Sequence, residues 1–204
     1  AFAIRRSVYE EVGGFDEKIF LYSEDVDLSW RIRNQNYKIR YCPKAVINHY
    51  SYSMPGETKP NQYIYTTINN LLLRYRFGSL LDIMKWYKYF GNIFRTQNQF
   101  RHAKRLLLKA WIKAIRDKNY FRSNRKDYNL PVSKFLGFEF EMARCGAYYT
   151  NCLPTKTPLV SIIIRTCGRP QVLRETLQSV RNQTYSNLEV VIVEDGLAIA
   201  KEMI

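Results

Sequence analysis

No apolar run in the 204-residue chain approaches the roughly 18 residues that a bilayer-spanning helix needs. Lys or Arg interrupts every candidate, as Arg105 and Lys109 bracket Leu106 to Leu108. A transmembrane protein is therefore excluded for this segment. Cysteine is sparse, and Cys42, Cys145, Cys152 and Cys167 have neither the CxxC spacing of a zinc or redox site nor the density of a secreted disulfide scaffold. Free thiols in a reducing compartment are expected. The chain has no initiating Met and no signal-peptide pattern, and its opening, AFAIRRSVYEEVGGFDE, reads as mid-domain sequence, so a fragment of a longer protein is expected. Acidic residues are the minority, 18 against 32 Lys and Arg, for a formal charge of +14. With 46% hydrophobic, 15% aromatic and 25% charged residues the chain can still pack a core, which excludes global disorder.

The excess charge is concentrated in the middle. Positions 74 to 126 hold 15 Lys and Arg against only Asp82 and Asp117. Before them, positions 1 to 53 read as α/β, with a helix from about Glu24 to Gln35 and short strands near Ile39 to Tyr41 and Ala45 to Ile47. Ser23 suits an N-cap, Glu24, Asp25 and Asp27 suit the positive first turn, and Leu28 and Ile32 would face a core. Pro55 and Gly56 mark a turn, and Pro60 opens a helix with Ile64, Ile68, Leu71, Leu72 and Tyr75 on one face. Gly78 punctuates. Two basic amphipathic helices follow, from Ser79 to about Phe94 and from about His102 to Asn119, the second with Leu108, Ile112 and Ile115 on one side. The spacing of Pro131, Gly137, Gly146 and Pro154 reads as a linker with some local structure. From Leu159 the pattern becomes an apolar strand at 160 to 164, a helix from Pro170 carrying Leu173, Leu177 and Val180, and an apolar strand at 188 to 193. That is a βαβ unit, whose ligands sit at the carboxyl ends of the strands.

Two constellations carry chemistry. In the first, Glu24, Asp25 and Asp27 crowd one helix start, after a GlyGlyPheAsp turn at 13 to 16 and the aromatics Phe20 and Tyr22, and His49 follows about two dozen residues later. Acids in a first turn also serve simply as caps and dipole compensation, and a lone His at a strand end is often structural. Taken together, these residues resemble the carboxyl-terminal half of the catalytic domain of family 2 glycosyltransferases, nucleotide-sugar enzymes of GT-A fold. The resemblance covers nearly all of positions 1 to 53 and continues more loosely to about Phe94. It implies that Asp25 is the base that deprotonates the acceptor hydroxyl, that Glu24 helps hold the acceptor, and that His49 is a metal ligand. Asp27 would be a helix-start residue or a support behind the site. The chemistry is consistent with this, because inverting transfer needs a carboxylate within hydrogen-bond reach of the attacking oxygen and neutralisation of the departing diphosphate.

The second constellation is the βαβ unit at 158 to 196, from ProLeuValSerIleIleIleArgThrCysGlyArgPro to ValValIleValGluAspGly. It resembles the amino-terminal start of the same glycosyltransferase domain. On that likeness Asp195 matches the acid that binds the nucleobase, and Arg165 and Thr166 fall where the first loop touches the nucleoside, with Glu194 beside them in the donor pocket. Cys167Gly168 stands where many members have TyrAsn, and Glu194AspGlyLeu replaces AspAspGlySer, which leaves the base identity open. Glu194 and Asp195 could also be a plain polar strand exit.

A carboxyl-terminal half thus precedes an amino-terminal half. The expected organisation is the end of one glycosyltransferase domain at 1–60, basic amphipathic helices at 61–125, a linker at 126–157 and the start of a second, tandem domain at 158–204. A circular permutation is the rarer alternative. The fold class expected is α/β, as partial GT-A (Rossmann-like) folds joined by a basic helical segment. The parent would transfer a sugar, with inversion, from a nucleotide-sugar donor to a surface polysaccharide or lipid-linked glycan, with a divalent cation (Mg or Mn) as cofactor. Beyond AspValAsp at 25 to 27 no AspXaaAsp motif is present, so the chain alone is expected to be inactive. Its cations and aromatics at 74–126 fit a solvated helix face, with the aromatics toward the catalytic domains, or an anionic membrane surface. A nucleic-acid backbone fits less well, since no helix-turn-helix, zinc-finger or RNP signature is present. The likeness favours the membrane and implies a cytoplasmic place, peripheral on the inner face of the cell membrane. A scaffold without catalysis, binding nucleic acid or membrane, is the alternative. AsnGlnThr at 182 to 184 has the form of a glycosylation sequon, discounted for a cytosolic helix end.

Overall fold

The computed structural model describes residues 2–42, 45–47, 59–96, 100–123, 125, 133–136, 139–142, 157–196 and 200. The chain divides into two compact units, Ala1–Tyr149 and Thr150–Ile204. The first is helical: α1 (Arg6–Glu11), α2 (Glu24–Asn34), α3 (Pro60–Phe77), α4 (Leu80–Thr96) and α5 (Ala103–Ser123), followed by a hairpin of β1 (Ser133–Leu136) and β2 (Glu139–Met142). The second holds β3 (Val160–Thr166), α6 (Pro170–Arg181) and β4 (Leu188–Glu194).

Helix α3 is the axis of the first unit. Pro60 at its first position presets φ and gives up no intrahelical bond, and the expected face of Ile64, Ile68, Leu71, Leu72 and Tyr75 is buried. Burial extends all round the helix between Thr67 and Arg76, taking in Asn69, Asn70 and both arginines. Such a helix is enclosed by its neighbours. The main core cluster gathers α3 with Trp30 of α2, Trp86 and Phe90 of α4 and Leu107 and Phe121 of α5. A smaller cluster joins Val8 and Val12 to Leu28 and Ile32, so the pair expected from α2 does face a core.

Helix α4 begins on a reciprocal cap. Ser79 donates from its backbone N and its hydroxyl to Asp82 Oδ2 at 2.8 and 2.6 Å, and Asp82 N donates back to Ser79 Oγ at 3.2 Å. On α5 the buried row is Ala103, Leu107, Ala114 and Phe121, while Leu108, Ile112 and Ile115, on one side as expected, face solvent. Two alanines let α5 lie close to its neighbour, so the small residues mark the packed side and the larger ones the open side.

The strands expected at Ile39 to Tyr41 and Ala45 to Ile47 are not formed; only an isolated bridge occurs, at Tyr41. A strand needs a laddered neighbour, and Tyr41, Val46 and Ile47 are instead exposed. The first unit is accordingly helical with a small hairpin rather than α/β among its described residues. Within the stretch read as a linker, Phe135 is buried and stacks edge-on against Trp30 at 5.4 Å between centroids. The Arg74 guanidinium lies 4.4 Å over the same ring.

The βαβ unit forms as expected. Strands β3 and β4 are parallel, in register from Val160 opposite Leu188 to Thr166 opposite Glu194, and α6, with Pro170 in its first turn, buries Leu173. Ile163, Val191 and Val193 on the sheet are exposed. Among the described residues no helix is long and apolar enough to cross a membrane.

Candidate functional site

The acidic start of α2 is reached through an unusual backbone. Tyr22 and Ser23 both adopt left-handed conformations, with φ of 64° and 65°, which costs a non-glycine residue roughly 1 kcal/mol or more. Ser23 occupies the N-cap position, yet its side chain makes no capping bond. Asn69, buried in α3, holds the loop instead: its Nδ2 donates to the carbonyls of Leu21 and Tyr22, each at 2.7 Å. The chain then turns abruptly into Glu24 and Asp25. Asp25 is exposed, and among the described residues its Oδ1 accepts only its neighbour's backbone N–H, from Val26 at 2.9 Å. Glu24 Oε2 is buried and has no hydrogen-bond partner among the described residues. Nearby, Phe20 is 70% exposed and leans on Tyr65, with centroids 5.9 Å apart.

Asp27, one turn along, is a different kind of carboxylate. It is 1% exposed, and its oxygens are taken by Arg76 at 2.5 Å and Arg31 at 2.8 Å. Arg76 reaches on to Asp16, which also accepts from Lys18 N at 2.9 Å and Tyr120 OH at 3.2 Å. Arg31 donates to the carbonyls of Val12 and Gly14 at 2.5 and 2.6 Å. The four charges alternate, acid to base, and lock the GlyGlyPheAsp turn to α2 and α3. Burial by itself would raise the Asp16 carboxyl, but the bonds from Arg76 and Lys18 N outweigh it and hold it below its ordinary value. Burial likewise disfavours the Arg76 cation, and the two aspartates more than restore it. A cavity of about 690 Å³ beside this network is lined by Gly13, Asp16, Lys18, Arg31, Arg76 and Tyr120 among others, and by neither Glu24 nor Asp25. Its inner charges Asp16, Arg31 and Arg76 are already paired with one another or with Asp27.

The other expected residues meet at one edge of the second unit. Register puts Thr166 opposite Glu194 and Arg165 opposite Val193, at the carboxyl ends of β3 and β4. Asp195 N then donates to Thr166 O at 2.9 Å, extending the ladder by one bond. Glu194 turns its Oε2 to the backbone N of Ala200 at 2.9 Å, whereas Asp195 and Arg165 are exposed. The chain leaves β4 through Gly196, at φ 110°, a conformation that side chains with a Cβ rarely adopt. This edge is where a parallel sheet receives ligands.

His49 lies outside the described residues. Among the described residues no group of three or more His, Cys, Asp or Glu could hold a metal ion. The single AspXaaAsp spacing, Asp25 to Asp27, does not fit one, because both oxygens of Asp27 belong to arginines. Cys42 and Cys167 are free thiols. Sequence reasoning missed Asn69 and the Asp16, Arg31 and Arg76 network. The signal available was the polar pair Asn69 and Asn70 inside the apolar run from Ile68 to Leu73.

Residues 161–201 match the profile of glycosyl transferase family 2. Among curated proteins, an N-acetylglucosaminyl-diphospho-decaprenol L-rhamnosyltransferase of Mycobacterium tuberculosis is 42% identical over 53 residues, which are 26% of this chain and 17% of that protein. The O-antigen chain rhamnosyltransferase RfbN of Salmonella typhimurium is 40% identical over 55 residues, 27% of this chain and 17% of its own length. The chain thus spans about a sixth of the length of these relatives. No solved structure is significantly similar to it.

Proposed function

With residues 161–201 forming a glycosyltransferase family 2 segment, we propose that the chain belongs to an inverting glycosyltransferase with two tandem catalytic domains. It contributes the acceptor-side end of one domain and the donor-side start of the next. The observation that carries the reading is the register of β3 and β4, which brings Arg165 and the buried Thr166 together with Glu194 and, one residue on, Asp195 at the carboxyl ends of the strands. Asp195 would accept from the nucleobase, and Arg165 and Thr166 would touch the nucleoside.

Asp25 would be the base of the first site. Its carboxylate takes the proton of an acceptor hydroxyl as that oxygen bonds to the anomeric carbon from the face opposite the nucleoside diphosphate. The bond from that carbon to the diphosphate oxygen breaks, its electron pair leaves with the diphosphate, and the centre inverts. The buried, unpartnered Glu24 Oε2 would accept from a second acceptor hydroxyl. The names of the relatives lead us to a deoxyhexose, such as rhamnose, as the transferred sugar. The acceptor would be a surface polysaccharide or lipid-linked glycan, with transfer taking place on the cytoplasmic side.

The test uses the parent protein, with dTDP-rhamnose and a panel of other nucleotide sugars as donors. Asp25→Asn should abolish transfer at the first site and leave donor affinity nearly intact. Equal loss of donor affinity would overturn the role of Asp25. Absence of transfer from every donor, with no nucleotide binding, would overturn the enzyme reading in favour of a scaffold.

A further inference from the structure

The outward side of α5 remains unexplained by the transferase reading. Leu108, Ile112 and Ile115 follow one another at four and three positions and so form one stripe; they are 41%, 40% and 39% exposed. The stripe lies ~130° round the helix from the buried row of Ala103, Leu107, Ala114 and Phe121. Arg105, Lys109, Lys113 and Arg116 adjoin it on one flank; all are exposed, and among the described residues none makes an ion pair. The lone acid of the helix, Asp117, is occupied by Lys18 at 2.7 Å. A similar pattern marks the start of α4, where Leu80, Leu81 and Met84 are 69%, 58% and 60% exposed, followed by Lys85 and Lys88.

A solvated helix face does not need three branched apolar side chains in a row, and a protein partner made of ordinary core surface would leave the adjoining cations unmatched. An apolar stripe edged by unpaired cations matches a surface that is apolar inside and anionic at its rim. We propose that the outer face of α5 docks on an anionic lipid bilayer, with Leu108, Ile112 and Ile115 entering the acyl boundary and Arg105, Lys109, Lys113 and Arg116 meeting lipid phosphates. The long stems of the cations let their heads stay at headgroup level while the stripe sinks. The helix lies in the interface and does not cross it, in keeping with its content of charge.

The experiment is sedimentation of the full chain with vesicles, which needs neither donor nor acceptor and so is independent of the transferase reading. With phosphatidylcholine containing about one third phosphatidylglycerol, the chain should bind, and with phosphatidylcholine alone it should stay in solution. Reversing Lys109, Lys113 and Arg116 to Glu should weaken binding by about a hundredfold or more, at roughly 1 kcal/mol per cation near the surface. Leu108→Ser with Ile112→Ser should weaken it at least about tenfold, from lost apolar burial. These positions are exposed, and circular dichroism of each variant checks the helix. Equal binding to neutral vesicles, or binding unchanged by either set, overturns the proposal. So does a lipid-free dimer that the α5 substitutions dissociate, which would make a second copy the occupant. Duplex DNA that binds through the same cations and fully displaces the vesicles, with the apolar variant unaffected, would assign the face to nucleic acid.

Discussion

The side-chain amide of Asn69 donates to the backbone carbonyl of Tyr22 at 2.7 Å, joining the middle of α3 to a left-handed residue two positions before Glu24. The same nitrogen serves Leu21 at 2.7 Å. Because Tyr22 and Ser23 sit in a conformation that non-glycine residues resist, something outside the loop must hold them, and Asn69 is positioned to do so. Asn69→Leu keeps the volume and removes both bonds, leaving carbonyls short of partners. We expect a loss of about 2 kcal/mol in urea unfolding and faster amide exchange at Ser23 and Glu24. Unchanged exchange at those amides would show that the loop holds itself.

The neighbouring aspartates of α2 should separate cleanly by experiment. Asp25 is exposed and among the described residues hydrogen-bonds only Val26 N, so Asp25→Asn should alter the unfolding free energy by no more than about 0.5 kcal/mol. Asp27→Asn leaves Arg76, itself 2% exposed, facing a neutral group in a buried site. That should cost about 3 kcal/mol. Paired urea titrations decide the matter, and equal effects would mean that Asp27 is not the structural member of the pair.

The alternating charges also set a response to acid. Asp16 is held below its ordinary value of 3.8 by Arg76 and Lys18 N against the opposing effect of burial. Its folded form therefore binds a proton less readily than the unfolded chain, and its stabilisation is full above pH 3.8. It is lost progressively as pH falls from there through the lower folded value. The urea midpoint of the first unit should fall between about pH 6 and about pH 3, and Asp16→Asn should flatten that fall. An equally steep decline in Asp16→Asn would assign the acid response to other carboxylates.

Some parts of the molecule can be read from residues alone. The helices of the first unit follow from period and punctuation: Pro60 starts α3, Ser79 and Asp82 start α4, and both ends of the βαβ unit appear as β-branched runs. The strands near Tyr41 and Val46 failed because an apolar, extended stretch becomes a strand only beside a partner, and period does not reveal partners. The direction of α5 was also hidden, since Ala103 and Ala114 bury through close approach while larger residues stay outside. Of the candidate site, the strand-edge residues could be placed because register follows from two matched runs. Asn69 could not, because its meaning depends on a loop 47 residues away.

Phe135 provides a last test, on a stretch whose sequence looks like a connector. Its ring is 8% exposed and lies against Trp30 and under the Arg74 guanidinium. Burial pulls that guanidinium down to about 10, still protonated at neutral pH, and the face of the ring offers it compensation where water is excluded. Phe135→Ala would open a cavity beside Trp30 and remove this support together. We expect about 3 to 4 kcal/mol of destabilisation, with Trp30 becoming more accessible to an acrylamide quencher. Phe135→Leu, which restores volume without the aromatic face, should recover more than half of the loss. If Phe135→Ala unfolds at the wild-type midpoint, the hairpin of β1 and β2 is not part of the first unit's core.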